Sequence, residues 1–184
     1  MDTYISALSL VLGFGFVVED LYVSGYQILG ESGEPGIQGS VKRVRFRLRL
    51  PFDVEDRHQE KFKKYLSLLS DIDENYRRSI LRAVKWWGRG TVETDKLDKF
   101  IDFYVALEIL GGIFFPNESF TQRVKKICEK YGLRCKFNSI HITETRGVLF
   151  HSGEKEELAK EIANDFGKEV LRAIKAAIDE LSTK

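Results

Sequence analysis

Large apolar side chains occupy alternate positions over much of the first fifty residues. The pattern covers Tyr4 to Val18, a second apolar segment from Asp20 to Ile28 is predicted as a further strand, and the alternation returns after a loop with five glycines between Gly25 and Gly39. There, Val44, Phe46, Leu48 and Leu50 alternate with Arg43, Arg45, Arg47 and Arg49. A period of two is typical of strands with one buried face. We therefore predict an antiparallel β region over residues 1–55.

From about Arg57 the apolar period changes to that of α-helices. The repeat predicts six helices, and we take Gly88, Gly90 and the pair Gly111–Gly112 as helix stops. Four of these helices are bounded as Asp95–Leu110, Phe120–Tyr131, Ser139–Phe150 and Lys155–Leu181. The predicted fold class is α+β, with a small N-terminal antiparallel sheet followed by a mainly α-helical bundle over residues 56–184.

Composition narrows the classes of partner and cofactor. The chain has 184 residues and a formal net charge of +1, so a nucleic-acid surface must come from local clustering. Residues 4–18 are too short and too interrupted to span a bilayer, and we expect a cytoplasmic protein without a membrane partner. Neither a phosphate-binding glycine loop nor a recognisable histidine ligand set occurs, so we expect no cofactor and no metal.

The two cysteines, Cys128 and Cys135, are too few for the disulfide framework of a small secreted domain. Lys, Arg and Glu are plentiful whereas Asn and Gln are scarce, which is typical of thermophilic sources. Intracellular disulfides occur in hyperthermophiles, so a bridge is conceivable. We favour two free thiols.

Arg146 and His151 suit phosphodiester chemistry. An imidazole can take the proton from a ribose 2′-hydroxyl or protonate a leaving oxygen. A guanidinium can hold two phosphate oxygens and stabilise the transition state, and no metal is required. The alternative is a surface arginine and a helix-terminal histidine that interacts with the helix dipole.

The five-residue spacing of this pair limits how the two groups can meet. On an ideal helix it corresponds to a rotation of about 140° and a rise of about 7.5 Å. The two side chains converge only if His151 lies at or beyond the helix end, where Ser152 and Gly153 indicate a turn.

Glu108 lies on the apolar stripe of the predicted helix over Asp95–Leu110. A buried carboxylate requires a partner. Arg146 is the candidate, and His141 and Arg123 compete for the role. Alternatively, Glu108 lies at the rim of the bundle and reaches solvent.

The order of these segments resembles the higher eukaryotes and prokaryotes nucleotide-binding (HEPN) superfamily, particularly its Apea-like branch. The resemblance covers residues 60–184 and rests on the sequence YVALEIL at Tyr104–Leu110 and the Arg-x4-His motif at Arg146–His151. It implies an all-α bundle that homodimerises and often cleaves RNA without metal, with Arg146 and His151 as the catalytic pair. Some members of the family bind RNA or serve as structural modules without catalysis.

The arginines at 43, 45, 47 and 49 would lie on one strand face and form a basic ribbon about 20 Å long. Such a ribbon could bind an RNA backbone. The alternative is a solvent face whose arginines pair with carboxylates on a neighbouring strand. Trp87 lies on an apolar stripe, which indicates core packing, whereas Trp86 is more open.

Three functions follow from these observations. The first is a metal-independent endoribonuclease in phage defence or a toxin–antitoxin system, with Arg146 and His151 in catalysis and Glu108 positioning the arginine. The second is a non-catalytic RNA- or nucleotide-binding module, because Gly147 stands where active members often carry a polar residue. The third is a dimeric interaction protein. A nucleotidyltransferase antitoxin is the partner expected for a toxin.

Overall fold

The computed structural model describes residues 2–12, 56–152 and 156–183, which belong to one compact unit. This part of the chain is mostly helical and contains one small antiparallel sheet. In chain order the elements are α1 (Asp2–Leu12), α2 (Asp56–Asp71), α3 (Glu74–Val92), α4 (Lys96–Phe114), α5 (Phe120–Lys130), β1 (Lys136–Phe137), β2 (Ile140–His141), α6 (Ile142–Ser152) and α7 (Glu156–Leu181).

The N-terminal residues correct the predicted sheet. Residues 2–12 form helix α1, which packs against α2 and α3, so the strand predicted from Tyr4 is wrong over this range. The buried residues of α1 include Ser6, Ala7, Ser9 and Leu10, whose spacing of three and four is helical. Small side chains let helices approach closely, and they are easily overlooked when only large apolar residues are counted. The remaining predicted strands lie outside the described residues.

Helix α4 is the centre of the bundle and packs against α3, α5 and α7. Asp95 caps its first turn by accepting hydrogen bonds from the backbone N–H groups of Leu97 (2.8 Å) and Asp98 (3.1 Å). The largest fully buried side chains include Trp87, Phe100, Leu107, Leu110, Ile127, Phe166, Ile174 and Ile178. These apolar stripes confirm that the second half of the chain is helical, as the 3.6-residue period predicts.

Two predicted helix stops lie inside helices. Helix α3 continues past Gly90 to Val92, and α4 continues past Gly111 to Phe114. A Cβ atom at Gly90 would lie 2.7 Å from the Phe103 ring, and one at Gly111 would lie 2.8 Å from the Arg123 backbone. These glycines therefore serve close helix packing, because any side chain would collide with the adjacent element.

A single glycine of α7 completes this packing around Phe103. A Cβ atom at Gly167 would also overlap the Phe103 ring, so the ring of α4 fills a space between Gly90 of α3 and Gly167 of α7. The carbonyl of Gly167 accepts a hydrogen bond of 3.0 Å from Trp87 Nε1. The three helices are thereby joined at one level of the core.

The segment between α5 and α6 differs from its prediction in two ways. Cys128 and Cys135 form a disulfide, so the favoured free thiols are wrong. A two-residue hairpin also precedes α6, with Asn138 and Ser139 both at positive φ (49° and 65°), as a type I′ turn requires. Because the hairpin takes residues 136–141, the helix predicted from Ser139 begins at Ile142 and ends at Ser152.

Candidate functional site

Helix α6 carries both members of the Arg-x4-His motif. It extends through His151 to Ser152, so His151 is the penultimate residue of the helix. The backbone positions of Arg146 and His151 are therefore related by five helical steps, a rotation of about 140° and a rise of about 7.5 Å. Gly147 lies between them on the helix. The side chain of His151 is outside the described part of the chain.

His141 stabilises the beginning of α6. Its Nδ1 accepts a hydrogen bond of 3.2 Å from the backbone N–H of Thr143 and lies 2.8 Å from Thr143 Oγ1. Burial lowers the pKa of His141, and the cation of Lys125 lowers it further. Both effects favour the neutral ring, which an accepting Nδ1 requires. His141 and Arg123 were the alternatives to Arg146 as the partner of Glu108. The ring of His141 is instead engaged at the start of α6.

Arg146 lies over an aromatic ring of the central helix. Its guanidinium carbon is 5.7 Å from the centroid of the Tyr104 ring, which is a cation–π distance. Tyr104 is buried, and burial raises the pKa of its hydroxyl to about 12, against the opposing influence of Arg146. The ring is therefore neutral across the physiological range and provides a fixed surface for the guanidinium.

Glu108 lies one helical turn after Tyr104 and is half-buried. Burial raises the pKa of the Glu108 carboxyl, whereas Arg146 and then Arg123 lower it. Arg123 extends from α5, and its Nε donates to the carbonyl of Phe115 at 3.3 Å. One carboxylate of α4 is thus within the electrostatic influence of an arginine from α5 and an arginine from α6. Such an arrangement can orient a guanidinium toward a bound anion.

The predicted site residues thus separate into three groups. Arg146 influences the pKa of Glu108, and His151 lies on the same helix as Arg146 with its side chain undescribed. The proposed RNA-binding residues Arg43, Arg45, Arg47 and Arg49 lie outside the described residues.

Tyr104 is the contact that the sequence analysis missed. It precedes Glu108 by four positions, so it shares a helix face with the carboxylate, and this spacing could have revealed it.

Trp87 is buried in the core, as predicted, and Trp86 is half-buried with the guanidinium of Arg89 5.0 Å from its ring centroid.

Arg123 and Arg146 lie in a basic stretch of chain. Residues 116–147 contain seven Lys and Arg against three Glu, a formal charge of +4, whereas the whole chain carries +1. This stretch includes α5, the hairpin and the first half of α6. This stretch therefore has a positive balance along the sequence, although Lys130 forms an ion pair with Glu180 outside it.

Within the described ranges, no group of three or more His, Cys, Asp or Glu residues is arranged to hold a metal ion. None of the described helices combines the length and apolar character needed to cross a membrane. Comparison of the chain with protein-family models, curated proteins and solved structures finds no match. The resemblance to the HEPN superfamily therefore rests on the sequence motifs.

Proposed function

We propose that the protein is a cytoplasmic, metal-independent endoribonuclease of the HEPN type that acts as a homodimer in phage defence or a toxin–antitoxin system. The observation that carries this proposal is the placement of Arg146, supported by the Tyr104 ring and influenced by the Glu108 carboxylate. An arginine fixed in this way can bind a phosphate with little loss of side-chain freedom.

In the proposed reaction, His151 removes the proton from a ribose 2′-hydroxyl and the resulting oxygen attacks the adjacent phosphorus. Arg146 stabilises the charge that develops on the phosphate oxygens. A protonated imidazole then supplies the proton to the departing 5′-oxygen. The products carry a 2′,3′-cyclic phosphate and a free 5′-hydroxyl, and Glu108 acts by positioning Arg146.

Helix geometry favours a site shared by two protomers. Because α6 extends through His151, the rotation of about 140° directs the two backbone positions to different sides of one helix. A symmetric dimer can bring Arg146 of one protomer to His151 of its partner. A nucleotidyltransferase antitoxin is the partner that we propose in a toxin–antitoxin setting.

The test is RNA cleavage in the presence of EDTA by the wild type, Arg146→Ala and His151→Ala. Both variants are expected to lose at least about 100-fold in rate, since each removes a group used in the transition state. Arg82→Ala, which removes an exposed arginine of α3, is the matched control and is expected to cleave normally. Cleavage that persists in both site variants would overturn the proposal.

Mixing the two inactive variants tests the shared site. If catalytic groups come from different protomers, a mixed dimer contains one intact pair, and activity returns to about one quarter of the wild-type value. If both groups come from one protomer, no activity returns.

The second candidate function is a non-catalytic RNA-binding module, which the +4 charge of residues 116–147 favours. This reading predicts salt-sensitive RNA binding without cleavage. A stable dimer that neither binds nor cleaves RNA would indicate the third function, a dimeric interaction protein.

A further inference from the structure

Phe120, the first residue of α5, is the most exposed large hydrophobic side chain of the described residues. Its exposed fraction is 61%, compared with 47% for Tyr76 and 47% for Val92. Burying a phenylalanine side chain is favourable, and Phe120 forgoes most of this gain. Single exposed apolar residues are common on protein surfaces, so the meaning of this ring depends on its neighbours.

Arg123 lies one turn after Phe120 and accompanies its ring. The guanidinium carbon is 5.3 Å from the ring centroid. The same guanidinium donates to the carbonyls of Phe115 (3.3 Å) and Pro116 (2.5 Å), so its position is fixed by the loop before α5. Phe120 and Arg123 therefore form one preformed unit of an exposed ring and an anchored cation, which we call the aromatic platform.

The aromatic platform differs from the other cation–aromatic pairs of α5. Lys126 lies over the Phe115 ring but forms an ion pair with Glu118, and Lys130 lies over the Phe114 ring but forms an ion pair with Glu180 (2.9 Å). In the described part of the chain, Arg123 has no ion-pair partner within 4.0 Å. Its charge acts on Glu108, but no direct ion pair neutralises it in this part of the chain.

Arg123 also acts on the carboxylate that Arg146 influences. Both arginines lower the pKa of Glu108, and Arg123 lies over the Phe120 ring. A ligand with a negatively charged backbone and flat apolar groups would match the Arg123 cation beside the exposed Phe120 ring. Single-stranded RNA has this chemistry, because unpaired bases expose their faces.

We propose that Phe120 stacks on an unpaired base of single-stranded RNA while Arg123 contacts the neighbouring phosphate, which makes the platform a determinant of specificity for single strands. This inference rests on the proposed function, because it names the kind of RNA that the Arg146 site would cleave. Paired bases stack within the duplex and expose only their edges, so double-stranded RNA cannot use the ring in this way.

Binding of a fluorescent twelve-nucleotide RNA, followed by anisotropy in EDTA, tests the platform. All proteins carry His151→Ala, so that the probe stays intact whether or not the wild type is a nuclease. Phe120→Ala is expected to raise the Kd for the single strand about 5- to 150-fold, which corresponds to the loss of one stacked base. Phe120→Trp is expected to retain binding and Phe120→Leu to lose most of it. The Kd for the same sequence in a duplex is expected to stay unchanged.

Tyr76→Ala is the matched control, because it removes an exposed aromatic ring from α3. It is expected to leave both Kd values unchanged. Unaltered single-strand binding in Phe120→Ala, an equal loss for the duplex, or no single-strand binding by the parent protein would overturn the proposal. A shift from dimer to monomer in Phe120→Ala with RNA binding intact would also overturn it and would assign the ring to a protein interface.

The two proposals fail in different ways. Phe120-dependent binding of single strands by a wild type that cleaves no RNA would refute the nuclease and retain the platform. Arg146-dependent cleavage with an unchanged kcat/KM in Phe120→Ala would retain the nuclease and refute the platform.

Discussion

Replacing Asp102 with asparagine is expected to stabilise the protein at neutral pH. The carboxylate lies in α4 with its side chain only 2% exposed, and Arg89 Nε is 3.1 Å from its Oδ2. The two groups form an ion pair, but the angle at Nε is unsuitable for a hydrogen bond. Asp102 Oδ2 therefore has no hydrogen-bond partner in the described part of the chain. A buried carboxylate in this situation is costly to ionise.

The magnitude follows from the pKa. Burial raises the pKa of Asp102 from 3.8 to about 6, while Arg89 opposes the rise and Glu93 and Asp98 add to it. At about 1.4 kcal/mol per pKa unit, keeping Asp102 ionised costs about 3 kcal/mol. The folded state binds the proton more tightly than the unfolded state. The stability gained from protonating Asp102 is therefore complete below pH 3.8 and is lost as the pH rises through 6.

Urea unfolding at several pH values between about 4 and 7.5 measures this effect. The free energy of unfolding of Asp102→Asn, minus that of the wild type, is expected to rise by about 2.4 kcal/mol over this range. Arg89→Gln removes the attraction that opposes the rise in the pKa of Asp102. The free energy of unfolding of this variant is therefore expected to depend more strongly on pH than that of the wild type. Asp71→Asn, at an exposed position in α2, is the control and is expected to show a flat difference. A flat or falling difference for Asp102→Asn would refute the reasoning.

Three further predictions concern the fold. Replacing Cys128 and Cys135 with serine is expected to lower the free energy of unfolding by about 2.5 kcal/mol in urea titrations, and equal stability of the two proteins would contradict the disulfide. Gly167→Ala is expected to cost about 1–3 kcal/mol, because its methyl group collides with Phe103, and an unchanged Tm would contradict that packing. His141→Ala is expected to cost about 1 kcal/mol at pH 7.5, whereas His141→Asn retains the cap. Because the folded pKa of His141 is lowered, its contribution to stability is lost as the pH falls below about 6.5, and thermal melts of His141→Asn are expected to lack this loss.

The 3.6-residue apolar period could be read correctly from the sequence, whereas the role of individual glycines could not. Gly90 and Gly111 look like helix stops because glycine commonly ends helices. Their actual role depends on Phe103 and Arg123, which come from other parts of the chain. A local pattern cannot distinguish a glycine that ends a helix from one that admits a neighbouring element.

The hairpin before α6 was predictable in principle, because Asn138 and Ser139 separate two short β segments and asparagine tolerates positive φ. The two-residue strands are too short to show an apolar alternation. Helix α1 was missed for another reason, since its buried Ser6 and Ser9 carry no hydrophobic signal. Small polar residues are buried there by helix packing, which becomes visible only in the assembled bundle.

Part of the candidate site could be inferred from one helix. The placement of Glu108 on the stripe of α4 predicts Arg146 as a partner, and both Arg146 and Arg123 lower the pKa of the Glu108 carboxyl. The support by Tyr104 and the open ring of Phe120 require the arrangement of α4, α5 and α6 in space. Neither follows from residue spacing in a single segment.

The segment from α5 to α6 is held by covalent and local restraints that act before any ligand arrives. The Cys128–Cys135 bridge, the tight turn at Asn138 and Ser139 and the imidazole at the start of α6 each limit backbone freedom. A ligand that binds here therefore meets a prearranged surface, and most of the conformational entropy lost on association comes from the ligand. The heat capacity change of binding should accordingly track how strongly the free ligand is folded or stacked.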